Sequence, residues 1–225
     1  MVKLVLFDID GTLIHTGGAG MKAFAHAFKS EFGIDDGSEK LKFAGRTDVS
    51  LVREFFVHSG IEASPKNFDR FFATYISLLE EQVRTCDGGI FPGIHRIISE
   101  MRQLPEPPLI ALLTGNIKRG AEIKLNHYKL WTEFQFGGFA DDHEERDCIA
   151  AIAKQRGEEA SQCALAGEEV LVIGDTPLDI RCARAIKAKV LAVATGGHSL
   201  AELEEHQPDW AVADLTTLAA REILR

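Results

Sequence analysis

Three short apolar runs, each broken off by acidic or small polar residues, constrain the fold of this 225-residue chain more than any other feature. Leu4-Val5-Leu6-Phe7 stops at Asp8-Ile9-Asp10-Gly11-Thr12. Leu109-Ile110-Ala111-Leu112-Leu113 stops at Thr114-Gly115-Asn116. Val170-Leu171-Val172-Ile173 stops at Gly174-Asp175-Thr176-Pro177-Leu178-Asp179. Such runs are too short for a helix core and read as buried strands. Helical patterns separate them, so the expected architecture is α/β: a doubly wound parallel sheet with right-handed crossovers, a Rossmann-like core. In such a sheet ligand chemistry collects beyond the carboxyl ends of the strands. The acidic, hydroxyl and amide residues that end these three runs are therefore expected at one edge.

The remaining pattern fills in the layers. Residues 189–194 read as a fourth strand, 210–212 as a short one and 134–139 as a weaker one. Helices are expected from Ile94, Ile97, Ile98 and Met101, from about Lys118, around Cys148, Ile149 and Ile152, and over 215–224. Residues 17–88 lack strong strand signals. Met21, Phe24, Phe28 and Phe32 predict one amphipathic helix ended by Gly33. Thr47 or Asp48 predicts the cap of a second, and Ser64-Pro65 the start of a third with Phe68, Phe72, Tyr75 and Leu79 on one stripe. The expected organisation is a core of 1–16 and 89–225 with an inserted all-helical unit, 17–88. Glycine-rich stems bound that unit, which is the arrangement of a lid.

Charge and cysteine usage exclude several functions. A net charge of −9 leaves no excess of lysine and arginine to neutralise nucleic-acid phosphates or an anionic membrane. An acidic protein that handles an anionic substrate needs a metal or a few placed basic residues. Cys86, Cys148, Cys163 and Cys182 have no paired spacing, so neither a disulfide nor a zinc framework is expected, and free thiols fit a cytoplasmic location. The first apolar run is too short and too soon charged for a signal peptide or membrane span.

Asp8, Asp10, Asp175 and Asp179 together would repel one another without a cation. Mg²⁺, hard and oxygen-seeking, is the expected one. Two carboxylates at a strand end also suit a nucleophile beside an acid/base. The three strand-end motifs, in this order, resemble the first, second and fourth signatures of the haloacid dehalogenase-like hydrolase superfamily. The resemblance covers essentially the whole chain, and the helical insert is similar to the cap of the subgroup that contains phosphoglycolate phosphatase and β-phosphoglucomutase.

That resemblance implies a Mg²⁺-dependent phosphatase acting on a small phosphorylated metabolite through an aspartyl-phosphate. Asp8 would be the nucleophile and Asp10 the general acid, then the base. Asp8, the Asp10 backbone carbonyl and Asp175 would hold the metal, with Asp179 supporting them. Thr114, Gly115 and Asn116 would bind phosphate. A basic residue, usually lysine, is expected before the helix leading to the last motif. Here Arg146 is the candidate, ahead of Lys118 and Lys154, and an arginine can grip phosphate bidentately. Arg46, in the glycine-arginine turn Phe43-Ala44-Gly45-Arg46-Thr47-Asp48, is the candidate for meeting a distal anionic group of the substrate. His15 and His143 are weaker site candidates. A 2-haloacid dehalogenase would need neither Asp10 nor the Asp175/Asp179 pair. A phosphonatase would need a Schiff-base lysine such as Lys40 or Lys42. A phosphosugar mutase of this fold and a catalytically silent binding module stay open as alternatives, and protein partners cannot be read from the sequence.

Overall fold

The structure is a computed structural model that describes residues 1–34 and 43–225, so Lys40 and Lys42 lie outside the described residues. Six parallel strands form the main sheet: β1 (Leu4–Phe7), β4 (Leu109–Leu113), β5 (Gly137–Gly138), β6 (Val170–Gly174), β7 (Lys189–Val193) and β8 (Trp210–Val212), in the order β5-β4-β1-β6-β7-β8. A two-residue pair, β2 (Ile14–His15) with β3 (Gly89–Ile90), is antiparallel. The helices are α1 (Ala19–Phe32), α2 (Asp48–His58), α3 (Pro65–Thr85), α4 (Ile94–Arg102), α5 (Lys118–His127), α6 (Arg146–Ser161), α7 (Pro177–Ala185), α8 (Leu200–Glu205) and α9 (Ala220–Ile223). None of the described helices is long and apolar enough to cross a membrane.

β1 lies at the middle of the sheet with β4 on one side and β6 on the other. Its residues are buried on both faces, as a continuous apolar run requires in a parallel sheet. Alternation sorts them: Val5 and Phe7 join the core against α4, and Leu4 and Leu6 join the core against α6 and α7. Phe7 is level with Leu112 and with Ile173. That register brings the residues after all three strands to the same edge, at the point where strand order reverses.

Between β2 and β3 the described residues form three helices. α1, α2 and α3 bury their own cluster, in which Phe24, Phe28, Phe71 and Tyr75 pack ring to ring. The buried stripe of α3 is Phe71, Tyr75, Leu79 and Val83, at strict i+4 spacing. The expected members Phe68 and Phe72 sit at its margin, where Phe68 meets Phe56 edge to face. Met21 is exposed at the edge of the cavity rather than part of the α1 stripe.

Two expected elements are shorter than the pattern suggested. The strand expected over 134–139 is reduced to Gly137–Gly138, although the Gln135 N–H and the Phe136 carbonyl still bond to β4. The closing helix is confined to Ala220–Ile223. Arg96 accounts for the difference: its guanidinium donates to the Leu215 and Leu218 carbonyls, and Glu100 accepts from the Ala220 N–H. Side chains of α4 thus satisfy backbone groups that a longer helix would have satisfied itself.

The helical layer reaches the sheet edge through residues 43–48. Asp48 donates its N–H to the Gly115 carbonyl (2.7 Å), and the Asp48 carboxylate accepts from the Ile117 N–H (2.8 Å) at the start of α5. The Thr47 hydroxyl donates to the Glu144 carbonyl (2.8 Å). Glycine is required at 115, where a Cβ would stand 2.0 Å from the Arg46 carbonyl oxygen. Neither group is the end of a flexible side chain, so Gly115→Ala must lift the 43–48 turn, at a cost of roughly 1–3 kcal/mol. Faster hydrogen exchange of the Asp48 amide and a lower melting temperature are the expected result. Unchanged protection at Asp48 would show that the turn is not held by this approach.

Candidate active site

Past the end of β1 the backbone turns at once. Gly11 N–H donates to the Ile14 carbonyl, and Gly11 adopts φ +90°. A Cβ there would stand 2.3 Å from the Asp175 carboxylate, so only glycine lets the first and last motifs approach. Thr12 completes the contact, its hydroxyl donating to Asp175 Oδ1 at 3.0 Å. The Asp-Gly-Thr pattern is thus a packing requirement as well as a chemical one.

Asp8, Asp175 and Asp179 are all buried and present carboxylate oxygens within 4.8 Å of one another. Arg146 enters this cluster from the first turn of α6. Its Nη2 lies 3.0 Å from Asp8 Oδ1 and also binds Asp179 Oδ1, and its Nη1 donates to the Gly45 carbonyl at 3.2 Å. Arg146 Nε is buried with no hydrogen-bond partner among the described residues. The other oxygen of Asp179 accepts from Thr176 N–H (3.0 Å) and Thr176 hydroxyl (2.7 Å), the capping box of α7.

Burial pushes the Asp8 carboxyl above its usual range; the Arg146 guanidinium opposes that, and Asp179 and Asp10 add to it. Asp175 is raised by burial and by the negative charges of Asp179 and Asp8. Burial would lower Arg146, but Asp179 and Asp8 outweigh it and hold the guanidinium charged. Fully ionised, the three carboxylates would carry two negative charges beyond the one guanidinium in a buried space. A divalent cation fits that charge and that all-oxygen donor set, with Asp8 and Asp175 as the side chains that would hold it. Asp179, its oxygens occupied by donors, contributes charge and holds Arg146.

Asp10 differs from the other three aspartates. It is partly exposed, its side chain points into a cavity of ≈ 360 Å³, and its Oδ2 accepts from Lys124 Nζ (2.7 Å) and Asn116 Nδ2 (2.8 Å). Asp10 thus stands outside the buried trio, though its negative charge still adds to the repulsion felt by Asp8. Asn116 Nδ2 also reaches Thr114 Oγ1 (2.8 Å), so that hydroxyl accepts and keeps its own hydrogen to donate. Thr114, Gly115 and Asn116 all line the cavity.

Lys124 was not among the candidates. It lies on the inward face of α5 with Ile117, Ala121 and Leu125, only 4% exposed. A lysine at helical spacing among apolar residues, just after a strand-end motif, was the available signal. Lys118 is exposed and Lys154 pairs with Glu158 on the surface; neither reaches the cluster. His143 is exposed and accepts from the Glu145 N–H, away from the cavity. His15 is exposed at the cavity rim beside Phe91. Arg46 also lines the cavity, but its guanidinium pairs with Glu54 at 2.6 Å. The helical side of the cavity is largely apolar: Phe24, Phe43, Leu51 and Tyr75.

Residues 5–193 match the haloacid dehalogenase-like hydrolase family. The bifunctional riboflavin kinase/FMN phosphatase of Arabidopsis thaliana is 24% identical over 84% of this chain, which spans 48% of that protein, about half its length. The phosphoglycolate phosphatase of Pseudomonas syringae pv. tomato is 25% identical over 96% of this chain and 78% of its own. The crystal structure of CbbY from Rhodobacter sphaeroides in complex with phosphate superposes with a TM-score of 0.78 at 18% identity, covering 100% of this chain and 99% of that one.

Proposed function

The chain belongs to the haloacid dehalogenase-like hydrolase family, and we propose that it is a phosphatase that hydrolyses a small phosphorylated metabolite through an aspartyl-phosphate on Asp8, with Mg²⁺ as cofactor. The observation that carries this reading is the buried trio Asp8, Asp175 and Asp179 facing Arg146, two negative charges in excess when fully ionised, under a cavity into which Asp10 projects. In this reading the Asp8 carboxylate attacks phosphorus and the bond to the leaving oxygen breaks. Asp10 gives that oxygen its proton. Asp10 then takes a proton from a water that attacks the same phosphorus, and Asp8 is released with inorganic phosphate. Thr114 donates to a phosphate oxygen, and Arg146 holds Asp8 in line. Bound Mg²⁺ supplies the charge that lets an anionic nucleophile approach an anionic ester.

Residues 17–88 act as a cap in this proposal. The 43–48 turn seats on Gly115, Ile117 and Glu144 and excludes bulk water while the ester is cleaved. The test is hydrolysis of p-nitrophenyl phosphate and of a panel of phosphorylated metabolites, with Mg²⁺ and with EDTA. Metal-dependent release of phosphate is expected. No turnover of any ester with Mg²⁺ would sink the reading.

Arg46 is proposed as a selector rather than part of the chemistry, since it reaches the cavity from the helical side. Arg46→Ala is expected to change the ratio of kcat/KM between metabolites by roughly tenfold, about the 1.4 kcal/mol of one lost exposed charged contact. Turnover of p-nitrophenyl phosphate should fall less. Equal losses on every ester would place Arg46 in the catalytic machinery or in folding.

A further inference from the structure

Lys124 is the one buried ammonium beside the proposed acid/base among the described residues, and nothing in the proposed reaction yet uses it. Its Nζ makes two short contacts, 2.7 Å to Asp10 Oδ2 and 2.6 Å to Asn116 Oδ1. Asn116 closes the triangle, its Nδ2 donating 2.8 Å to the same Asp10 oxygen. Asp10 Oδ2 is thus held by two donors at once. Gly20 of α1 lies against the ammonium, where a Cβ would stand 3.5 Å from Nζ, in ordinary van der Waals contact. A lysine pays heavily in side-chain entropy and desolvation to be ordered and buried. Here both costs are met by polar partners that belong to the site.

We propose that Lys124 is a positioning residue for Asp10: it fixes Oδ2 so that Oδ1 faces the leaving oxygen, and it stabilises the negative charge that Asp10 gains on giving up its proton. The proposal rests on the phosphatase reading above and names a role for a residue outside its motifs. In the first step the proton moves from Asp10 to the leaving oxygen as the P–O bond breaks, and Asp10 becomes a carboxylate bonded to an ammonium. Nothing transfers to or from Lys124. Its charge is of no use where the leaving group needs no proton and of most use where it does, so its contribution scales with leaving-group basicity. An ammonium that served only packing, or that bound an anionic part of the substrate, would not show that scaling.

The test compares p-nitrophenyl phosphate, which has a good leaving group, with β-glycerophosphate, an alkyl ester that needs protonation. For Lys124→Met, kcat on the alkyl ester is expected to fall about 100-fold, within the usual range of an acid/base contribution. The fall on the aryl ester should be smaller by about tenfold, because only the later water-activating step still depends on Asp10. Combined with Asp10→Asn, Lys124→Met should cost little more than Asp10→Asn alone, as for residues that act as one unit. If the methionine variant does not fold, Lys124→Arg keeps the cation but misplaces the donor, and the same ester-dependent loss is expected of it. Equal losses on both esters, additive losses with Asp10→Asn, or a raised KM at unchanged kcat would overturn the proposal. Wild-type protein that hydrolyses neither ester with Mg²⁺ would overturn the phosphatase reading and this inference with it. Active wild type with equal losses in the variant would overturn only the inference.

Discussion

Asp8→Asn is expected to lower turnover by about 10⁴-fold or more, on the scale seen when a nucleophile is removed from an otherwise intact site. The amide keeps the shape of the carboxylate and can still face Arg146, but it cannot attack phosphorus. The same change should not weaken the metal-free fold. Asp8 sits within 4.8 Å of the oxygens of Asp175 and Asp179, and burial together with Asp179 and Asp10 already makes its ionised form unfavourable. Removing one of three crowded negative charges relieves repulsion, so the melting temperature without Mg²⁺ should equal or exceed that of the wild type. The Mg²⁺-induced rise in melting temperature should shrink, because a neutral amide replaces a charged ligand. Activity within tenfold of wild type would remove Asp8 from the nucleophile's role. Loss of activity with a collapse in melting temperature would mean that Asp8 is needed for the fold instead.

Arg146→Met should produce the opposite pattern in stability. Arg146 is 4% exposed, bonded to Asp8, Asp179 and the Gly45 carbonyl. Methionine fills much of the volume but leaves Asp8, Asp175 and Asp179 with no protein cation among them. Breaking a buried ion pair from one side costs about 3–5 kcal/mol. For a chain of this size that is roughly a 10 °C fall in melting temperature. Added Mg²⁺ should restore part of it, by supplying the missing positive charge. Turnover should fall as well, since the same guanidinium holds the proposed nucleophile. Arg146→Lys keeps the charge but cannot bridge three acceptors with one planar fork, so a smaller loss in both measurements is expected. A methionine variant that melts within 2 °C of wild type in EDTA, on the order of 1 kcal/mol or less, would show that the guanidinium does not hold the cluster together.

Much of this was legible in the chain. Three buried strands announced themselves as apolar runs, and each of these runs stopped at the residues that now make the site, because strand and helix periodicities are carried by neighbours two to four positions apart. Arg146 came from the family resemblance instead, as the basic residue expected before the helix that leads to the last motif. The errors share a cause: Met21, Phe68 and Phe72 have the right residue types for a stripe, but which side of a helix turns inward is set by what packs against it. The closing helix was overestimated because Arg96 and Glu100, more than a hundred residues earlier, satisfy the backbone of its first half.

Lys124 marks the boundary most clearly. By residue type and spacing it is one of two lysines on α5, and the sequence pointed to the other, Lys118, as a site candidate. Its partner Asp10 is 114 residues away, and Asn116 is eight. The sequence by itself determined the strands, their order of residues and the polar ends that had to meet water or a ligand. Only the tertiary structure decided which charges face which: Lys124 with Asp10, and Arg146 with Asp8 and Asp179. Local periodicity places a side chain on a face. Sheet order and register place that face against another, and electrostatic partnership depends on the distance between faces, which no local pattern encodes.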